Sequence, residues 1–237
     1  MTHKFEFSIG RNIIGKYEVL AHLGSGLEGE VYLVRELETG VERAAKLFFA
    51  KHNPGNRVAR AYAKKLHRLC HCDALIQYVN HEVLKRRSAN LTLLISEFVD
   101  GVVLNQYAAK QRGERLPEFE ALRLLYDLAK GLEPIHHAGE YHGDLHGENV
   151  MVSRRGIKYE IKLLDFYFRG SPNRAAIEDD VLDMIRLFYD LLGGQQFYSR
   201  QSETVKSLCC GLKRSLILKK YRTAGQLRMH LENLQWP

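Results

Sequence analysis

A glycine-rich stretch near the N-terminus limits the folds that this chain can adopt. In "LGSGLEGEVYLV", Gly24, Gly26 and Gly29 have the G-x-G-x-x-G spacing. A dinucleotide-binding Rossmann fold requires such glycines to lead into a helix. Here they lead into "EVYLV", a strand-like run, and no G-K-[ST] follows, which excludes a Walker A loop. The stretch therefore predicts a glycine-rich β-hairpin, whose backbone amides can lie close to phosphates.

The secondary-structure pattern changes once along the chain. Residues 1–99 contain five short segments typical of strands and one helix, "NRVARAYAKKLHRLCHC", with an apolar face. Beyond residue 100, helical spacing dominates, and a predicted hairpin runs from "NVMV" to "IKLLDF". The long helix in "LPEFEALRLLYDLAKGLEPIHHAG" has a proline start and a glycine stop. We therefore expect an α+β fold, with a small β lobe over residues 1–99 and a helical lobe over residues 100–237.

Two further stretches place polar side chains beside apolar strands. Lys46 interrupts "RAAKLFF", and burying its ammonium group is costly unless the group is paired. It could bind nucleotide phosphates or reach solvent from an edge strand, and the residues alone leave both open. In "YHGDLHGENVMV", Asp144, His146 and Asn149 directly precede a hydrophobic run. Polar groups this dense beside a buried strand indicate a site rather than a solvated loop.

In this order and spacing, these stretches resemble the protein-kinase-like superfamily over nearly the whole chain. The resemblance rests on the glycine loop, the strand lysine in "AAK", the hinge "SEFVDG", the catalytic loop "HGDLHGEN" and "LDF". It implies a bilobal kinase fold and transfer of the γ-phosphate of Mg-ATP to a hydroxyl. The compact form resembles bacterial serine/threonine kinases, so a protein hydroxyl is the expected acceptor.

The resemblance also assigns roles to residues. It implies that Asp144 orients the attacking hydroxyl, that Lys46 neutralises phosphates, and that His146 could donate to the γ-phosphate. Asn149 and Asp165 would hold Mg²⁺, which prefers oxygen ligands. The implied nucleotide-binding positions are Gly24, Ser25, Gly26, Gly29, Val31, Lys46 and the backbone of Glu97 and Val99.

The active-site stretches depart from the family pattern at three places. Gly143 replaces the usual arginine, which argues against activation by loop phosphorylation. His146 stands where protein kinases usually carry a lysine and small-molecule kinases often carry a histidine. Tyr167 replaces the glycine of D-F-G, and the segment up to Asp180 is short. Asp180 resembles the aspartate that anchors the catalytic loop, although at a helix start it could simply be an N-cap.

A fourth departure concerns the partner of the strand lysine. The predicted helix over residues 57–72 contains no Asp or Glu, although kinases normally place a glutamate there. We hypothesise that the glycine loop supplies the carboxylate, with Glu28 favoured over Glu30 because it lies at the loop tip. The alternative is that both are exposed loop charges.

Two other function classes stay open. His146 and the short segment after Asp165 favour a small-molecule phosphotransferase similar to choline or aminoglycoside kinases. The missing helix glutamate favours a pseudokinase or nucleotide-binding regulatory module. Against the former, "RTAGQL" resembles a closing motif of protein kinases, and against the latter, the four residues Lys46, Asp144, Asn149 and Asp165 are all present.

The composition limits the classes of partner that this chain is expected to bind. The net charge is +7, but the basic residues are scattered without aromatic interleaving, which disfavours nucleic-acid binding. No apolar stretch approaches a membrane span, and the first residues lack a signal-peptide core, so a cytoplasmic location is expected. The four cysteines do not have zinc-knuckle spacing. The helix surface of Arg57, Arg60, Lys64, Lys65 and Arg68 is either a partner-docking face or a solvated charged face.

Overall fold

The computed structural model describes residues 5–85, 90–156, 158–166 and 172–235. The chain forms two compact units. The first contains the residues up to His71 together with Ile76–Val99, and the second contains Cys72–Leu75 and the residues from Asp100 onward. Residues 72–75 thus belong to the second unit, whereas the sequence placed them in the first lobe.

The described part of the first unit is an antiparallel sheet with one α-helix, α1 (Arg57–Arg68). Six strands pair in the order β1-β2-β3-β4-β6-β5. One more strand is present than predicted, because β1 has only two residues and leaves no periodic signal in the sequence. The strands are β1 (Asn12–Ile13), β2 (Tyr17–Ser25), β3 (Gly29–Glu36), β4 (Glu42–Phe48), β5 (Tyr78–Leu84) and β6 (Leu91–Glu97).

Strand register places Lys46 on the face of the sheet that α1 covers. Val31 of β3 pairs with Lys46 of β4. Because side chains alternate along a strand, the flanking Ala45 and Leu47 point to the opposite face, where both belong to the core. The Lys46 ammonium lies 5.1 Å from the ring centre of Tyr62 in α1. The remaining members of that core are Phe7, Ile13, Tyr17, Val19, Tyr32, Val34, Leu93 and Ile95.

The second unit is mainly helical and carries a small antiparallel sheet in the order β7-β8-β9. As predicted, the long helix follows Pro117, and Gly139 with φ +71° lies just beyond its end. The strands are β7 (Val102–Val103), β8 (Val150–Arg155) and β9 (Lys158–Leu163). The helices are α2 (Leu104–Ala109), α3 (Glu118–His137), α4 (Arg174–Leu191), α5 (Gly194–Tyr198), α6 (Glu203–Cys209), α7 (Arg214–Lys220) and α8 (Ala224–Glu232).

The start of α4 decides between the two interpretations of Asp180. The helix begins at Arg174, and its N-cap is Asn173, whose side chain accepts a hydrogen bond from the amide of Ala176. Asp180 therefore lies in the second turn, and the N-cap alternative is wrong.

The composition of the two units confirms the α+β class. Among the described residues, no helix combines the length and apolarity needed to cross a bilayer.

Candidate active site

The loop between α3 and β8 contains the predicted catalytic residues, and a buried carboxylate fixes its backbone. Asp180 is fully buried. Its Oδ2 accepts the amide of His142 at 2.6 Å, and its Oδ1 accepts the amide of Gly143 at 2.8 Å. Two charge-assisted hydrogen bonds to consecutive amides restrict the loop to one conformation.

A third residue, His136 of α3, completes this anchor. Its Nδ1 accepts the amide of Ala224 at 3.0 Å. The hydrogen of a neutral imidazole must then be on Nε2, which lies 3.1 Å from Asp180 Oδ2 and donates to it. The first residue of α8 is thus connected to the catalytic loop through His136 and Asp180. Sequence reasoning did not single out His136, and the only signal was a histidine pair at the end of α3.

Gly143 has a backbone conformation that favours glycine. Its φ is +84°, in a region that residues with a Cβ enter at a cost of about 1–2 kcal/mol. An arginine at this position would add that cost to the backbone that Asp180 holds.

The structure brings Asp144 and Asn149 together. Asn149 Nδ2 donates to the backbone carbonyl of Asp144 at 2.9 Å and to its Oδ2 at 3.2 Å. Both bonds use the side-chain nitrogen of Asn149. The residues described in the structure offer its Oδ1 no hydrogen-bond donor. Asp144 thus has a fixed orientation, and its side chain is still 45% exposed, which leaves its carboxylate accessible to a ligand.

His146 lies beside this pair and is held more loosely. Its Nε2 is 3.6 Å from Asp144 Oδ2 and 3.1 Å from Asn149 Nδ2. Its Nδ1 faces the amide of Glu148 at 3.3 Å. A neutral imidazole has one acceptor nitrogen. The side-chain amide of Asn149 and the backbone amide of Glu148 therefore cannot both donate to the His146 ring. The ring is 49% exposed and can turn toward a ligand.

Asp165 follows β9 in a left-handed conformation, with φ +45°. The amide of the preceding residue, Leu164, donates to the carbonyl of Asn149 at 2.8 Å. The carbonyl of Leu164 accepts a hydrogen bond from His142 Nε2 at 2.8 Å. The next residue, Phe166, is buried against the His142 ring. Neighbours on both sides therefore hold the strained backbone of Asp165, and strain of this kind concentrates at functional sites. Tyr167 lies outside the described residues.

In the first unit, β2 and β3 form the predicted glycine-rich hairpin. Its tip is closed by a 2.9 Å hydrogen bond from the amide of Gly26 to the carbonyl of Gly29. A Cβ on Gly29 would lie 1.9 Å from the carbonyl oxygen of Leu47, so only glycine fits there. Gly24 pairs with Val31, and Ser25 Oγ lies 3.0 Å from His22 Nε2. The hairpin keeps five of the predicted nucleotide-binding positions, Gly24, Ser25, Gly26, Gly29 and Val31, on one continuous backbone.

The two glutamates of the hairpin point to different surroundings. Glu28 Oε2 lies 3.4 Å from Lys46 Nζ, in an ion pair whose side chains are 24% and 11% exposed. Glu30 is buried, and its Oε2 accepts from the Tyr32 hydroxyl at 2.6 Å and the Phe5 amide at 3.1 Å. Burial of Tyr32 and the hydrogen bond from its hydroxyl to Glu30 raise the pKa of Tyr32 to about 12. The structure thus brings Lys46 to Glu28, while Glu30 lies on the core side of β3.

The hinge segment offers a more limited set of backbone groups than expected. The amide of Glu97 donates to the carbonyl of Gln77 at 2.9 Å, and its Oε1 accepts the Gln77 amide at 3.0 Å. The amide of Glu97 is therefore already used within the sheet. Within the described ranges no residue accepts the amide of Val99, which is free to donate. The Ser96 side chain beside them is buried.

Comparison with known proteins decides the family. The model of the protein kinase domain matches residues 17–176, more than half of the chain. The chain belongs to the protein kinase family. This kinase-family chain is 33% identical over 157 residues to the serine/threonine-protein kinase pkn2 of Myxococcus xanthus, covering 64% of the chain and 18% of that protein. It is 30% identical over 154 residues to the putative cyclin-dependent kinase F-2 of Oryza sativa subsp. japonica, covering 64% and 46%.

A solved structure confirms the predicted bilobal kinase fold. The kinase domain of PknI from Mycobacterium tuberculosis matches with a TM-score of 0.67 at 19% identity, over 96% of this chain and 97% of that one. The kinase-family chain spans less than half the length of the two relatives named above.

Proposed function

We propose that this chain is an active ATP-dependent kinase that transfers the γ-phosphate to a serine or threonine hydroxyl of a protein. The observation that carries the proposal is the exposed Asp144 carboxylate, oriented by Asn149 on a loop that Asp180 anchors. The serine/threonine kinases among the relatives support the acceptor class. The direct test is transfer from γ-labelled ATP to proteins of a cell lysate.

The chemistry of this loop suits phosphoryl transfer. Transfer to a hydroxyl depends on positioning and charge stabilisation more than on covalent catalysis. The Asp144 carboxylate would accept the hydrogen bond of the acceptor hydroxyl and aim its oxygen at the γ-phosphorus of ATP. It would take the hydroxyl proton as the new P–O bond forms and the bond from the γ-phosphorus to the β,γ-bridging oxygen breaks, which releases ADP. His146, when its Nε2 carries a hydrogen, donates to a γ-phosphate oxygen.

The donor set fits a magnesium ion. The open Oδ1 of Asn149 and the carboxylate of Asp165 are hard oxygen ligands, and Mg²⁺ in kinase sites takes one or two carboxylates together with phosphates and waters. The nucleotide phosphates and waters would supply the remaining ligands. When bound, Mg²⁺ neutralises the charge of the phosphates.

Lys46, a residue of the first unit, would neutralise the negative charge of the ATP phosphates. In typical kinases a helix glutamate positions this lysine, but α1 has no acidic residue. We assign that role to Glu28, whose carbonyl also accepts the amide of Phe49 at 2.8 Å and so connects the hairpin tip to the end of β4. The ion pair keeps the ammonium on the face of the sheet occupied by Val31.

We expect Glu28→Gln to raise the KM for ATP by about three- to tenfold with a smaller change in kcat, because a partly exposed ion pair contributes about 1 kcal/mol. Steady-state kinetics at varied ATP measures this. The matched control is Glu30→Gln in the same hairpin, which should lower the melting temperature and leave the KM for ATP nearly unchanged. An unchanged KM in Glu28→Gln would rule out the assigned role.

Nucleotide binding is testable separately from transfer. At an ATP concentration 100 times the Kd, Mg-ATP should stabilise the protein by about 2.7 kcal/mol, a shift of several degrees. Asp165→Asn should weaken the dependence of this shift on Mg²⁺, and Lys46→Met should weaken the shift itself. The absence of any shift with ATP would rule out an ATP-dependent kinase and favour a module that acts without bound nucleotide.

One observation favours a second candidate function. The exposed His146 beside Asp144 occupies the position where kinases of small molecules often carry a histidine, so the acceptor could be a small hydroxyl compound. Transfer to choline or an aminoglycoside, measured with the lysate proteins omitted, would favour this candidate.

We also propose a cytoplasmic location. All four cysteines are free, as expected in a reducing compartment.

A further inference from the structure

The first turn of α2 makes two hydrogen bonds to the loop that carries the predicted catalytic residues. The first amides of a helix have no partner within the helix, and the N-cap residue of α2, Val103, forms no side-chain cap. The amide of Asn105 donates instead to the carbonyl of Gly147 at 3.2 Å. The side chain of Asn105 contacts the next residue, because its Nδ2 donates to Glu148 Oε1 at 2.9 Å. One residue of α2 therefore holds two consecutive residues of the loop.

Gly147 permits this close approach. It is buried, and a Cβ at this position would lie 1.8 Å from Asn105 Oδ1. The φ of Gly147 lies outside the left-handed region, so an alanine could adopt the same backbone conformation. Its methyl group would, however, push the Asn105 side chain away from Glu148. Glycine is thus needed at this position for space rather than for backbone freedom.

The catalytic loop is held at both ends. Asp180 accepts two amides at the start of the loop, and Asn105 holds the loop just beyond His146. Asn149 follows directly, and its backbone amide donates to the carbonyl of His146 at 2.9 Å. A shift of this end of the loop would therefore move the Asn149 side chain that orients Asp144.

Exposure distinguishes the two anchors of the loop. Asp180 is fully buried, whereas Asn105 and Glu148 are both exposed. A hydrogen bond between exposed side chains replaces hydrogen bonds to water and so adds little to the free energy of unfolding. The side chain of Asn105 can thus fix the position of the loop end without contributing much to stability.

We propose that Asn105 is a positioning residue for phosphate transfer. It fixes the end of the catalytic loop and thereby the Asn149 side chain that orients Asp144. The inference rests on the proposed kinase function, because the position of the loop matters for the rate only if Asp144 acts on the acceptor hydroxyl. Asn105 acts through Asn149 and needs no contact with the nucleotide or the acceptor.

An exchange of the two polar groups tests the hydrogen bond itself. Asn105→Asp places two carboxylates side by side and should lower kcat for transfer from γ-labelled ATP by about tenfold, because misplaced catalytic groups are costly. The KM for ATP should change by less than about twofold, since uniform binding is kept. Adding Glu148→Gln exchanges amide and carboxylate at the same total charge, so the bond forms in the reverse direction. This double variant should recover kcat to within about twofold of the wild type.

The close approach of Gly147 provides a second test. Gly147→Ala should lower kcat as much as Asn105→Ala does, and combining the two should cost no more than either alone, because the added methyl group then has no side chain to displace. Gln106→Ala removes an exposed side chain from the same turn of α2 and is the matched control, with unchanged kcat. Variants at Asn105 should keep the melting temperature within about 2 °C of the wild type.

Hydrogen exchange of the loop, measured by mass spectrometry, reports its position without relying on activity. Asn105→Ala should speed exchange in peptides covering residues 142–149, and Gln106→Ala should not. A wild-type protein without transfer activity would overturn the proposed function and, with it, the role of Asn105. An active wild type with equal kcat in Asn105→Asp, or a double variant that recovers nothing, would overturn this inference alone. A loss of kcat that parallels a large fall in melting temperature would make Asn105 a structural residue instead.

Discussion

Replacing Asp144 with alanine is expected to reduce the rate of phosphate transfer by about 10²–10⁴-fold, the usual contribution of a positioned general base. The carboxylate is half-exposed and oriented by Asn149, so its loss removes the group that we propose aims the acceptor hydroxyl. The melting temperature should change little, because partly exposed side chains carry little folding energy. The measurement is initial-rate transfer from γ-labelled ATP.

A more conservative variant separates positioning from proton transfer. Asp144→Asn keeps the shape of the side chain and can still accept from Asn149 through its oxygen, but it cannot take a proton at neutral pH. We expect a loss in kcat comparable to that of Asp144→Ala, with the thermal shift by Mg-ATP preserved in both. If either variant kept more than about a tenth of the rate, Asp144 would not have the assigned role.

Replacing Asp180 with alanine should produce the largest loss of stability, about 3–5 kcal/mol, and lower the melting temperature by roughly 10 °C. The carboxylate is fully buried and accepts the amides of His142 and Gly143 and the His136 ring. Each buried donor left without a partner costs about 1–3 kcal/mol. Thermal and denaturant unfolding measure the loss.

The neighbouring residue provides a matched control. Asp179 is 39% exposed and pairs with Arg214 at 2.6 Å, and such surface pairs contribute at most about 1 kcal/mol. Asp179→Ala should therefore leave stability almost unchanged. Asp180→Asn keeps one acceptor oxygen, so its loss of stability should lie between those of Asp179→Ala and Asp180→Ala. It should lower kcat by a larger factor than it changes KM, because the loop carrying Asp144 would lose its fixed position. Equal effects of Asp179→Ala and Asp180→Ala would contradict the anchor role.

The features that the sequence predicted correctly are encoded locally. The glycine hairpin follows from three glycines leading into a strand, and the fold class follows from a change of periodicity near residue 100. Neighbouring residues determine these features, so a single sequence contains the information.

The features that it missed depend on distant contacts or on very short elements. His136 and Ala224 are 88 residues apart, and no local pattern connects them. The first turn of α4, residues 174–177, is exposed or half-buried, so its start at Arg174 is set by the Asn173 cap rather than by an apolar face against the core.

The ion pair between Glu28 and Lys46 would couple the hairpin to the position of Lys46. The carboxylate belongs to the hairpin proposed to cover the phosphates, so the group that positions the ammonium would move with that hairpin. A rearrangement of the hairpin would then change ATP affinity and the position of Lys46 together. Displacement of α1 would leave the counter-ion of Lys46 in place, so regulation through helix movement would have to act on packing around Tyr62 rather than on charge.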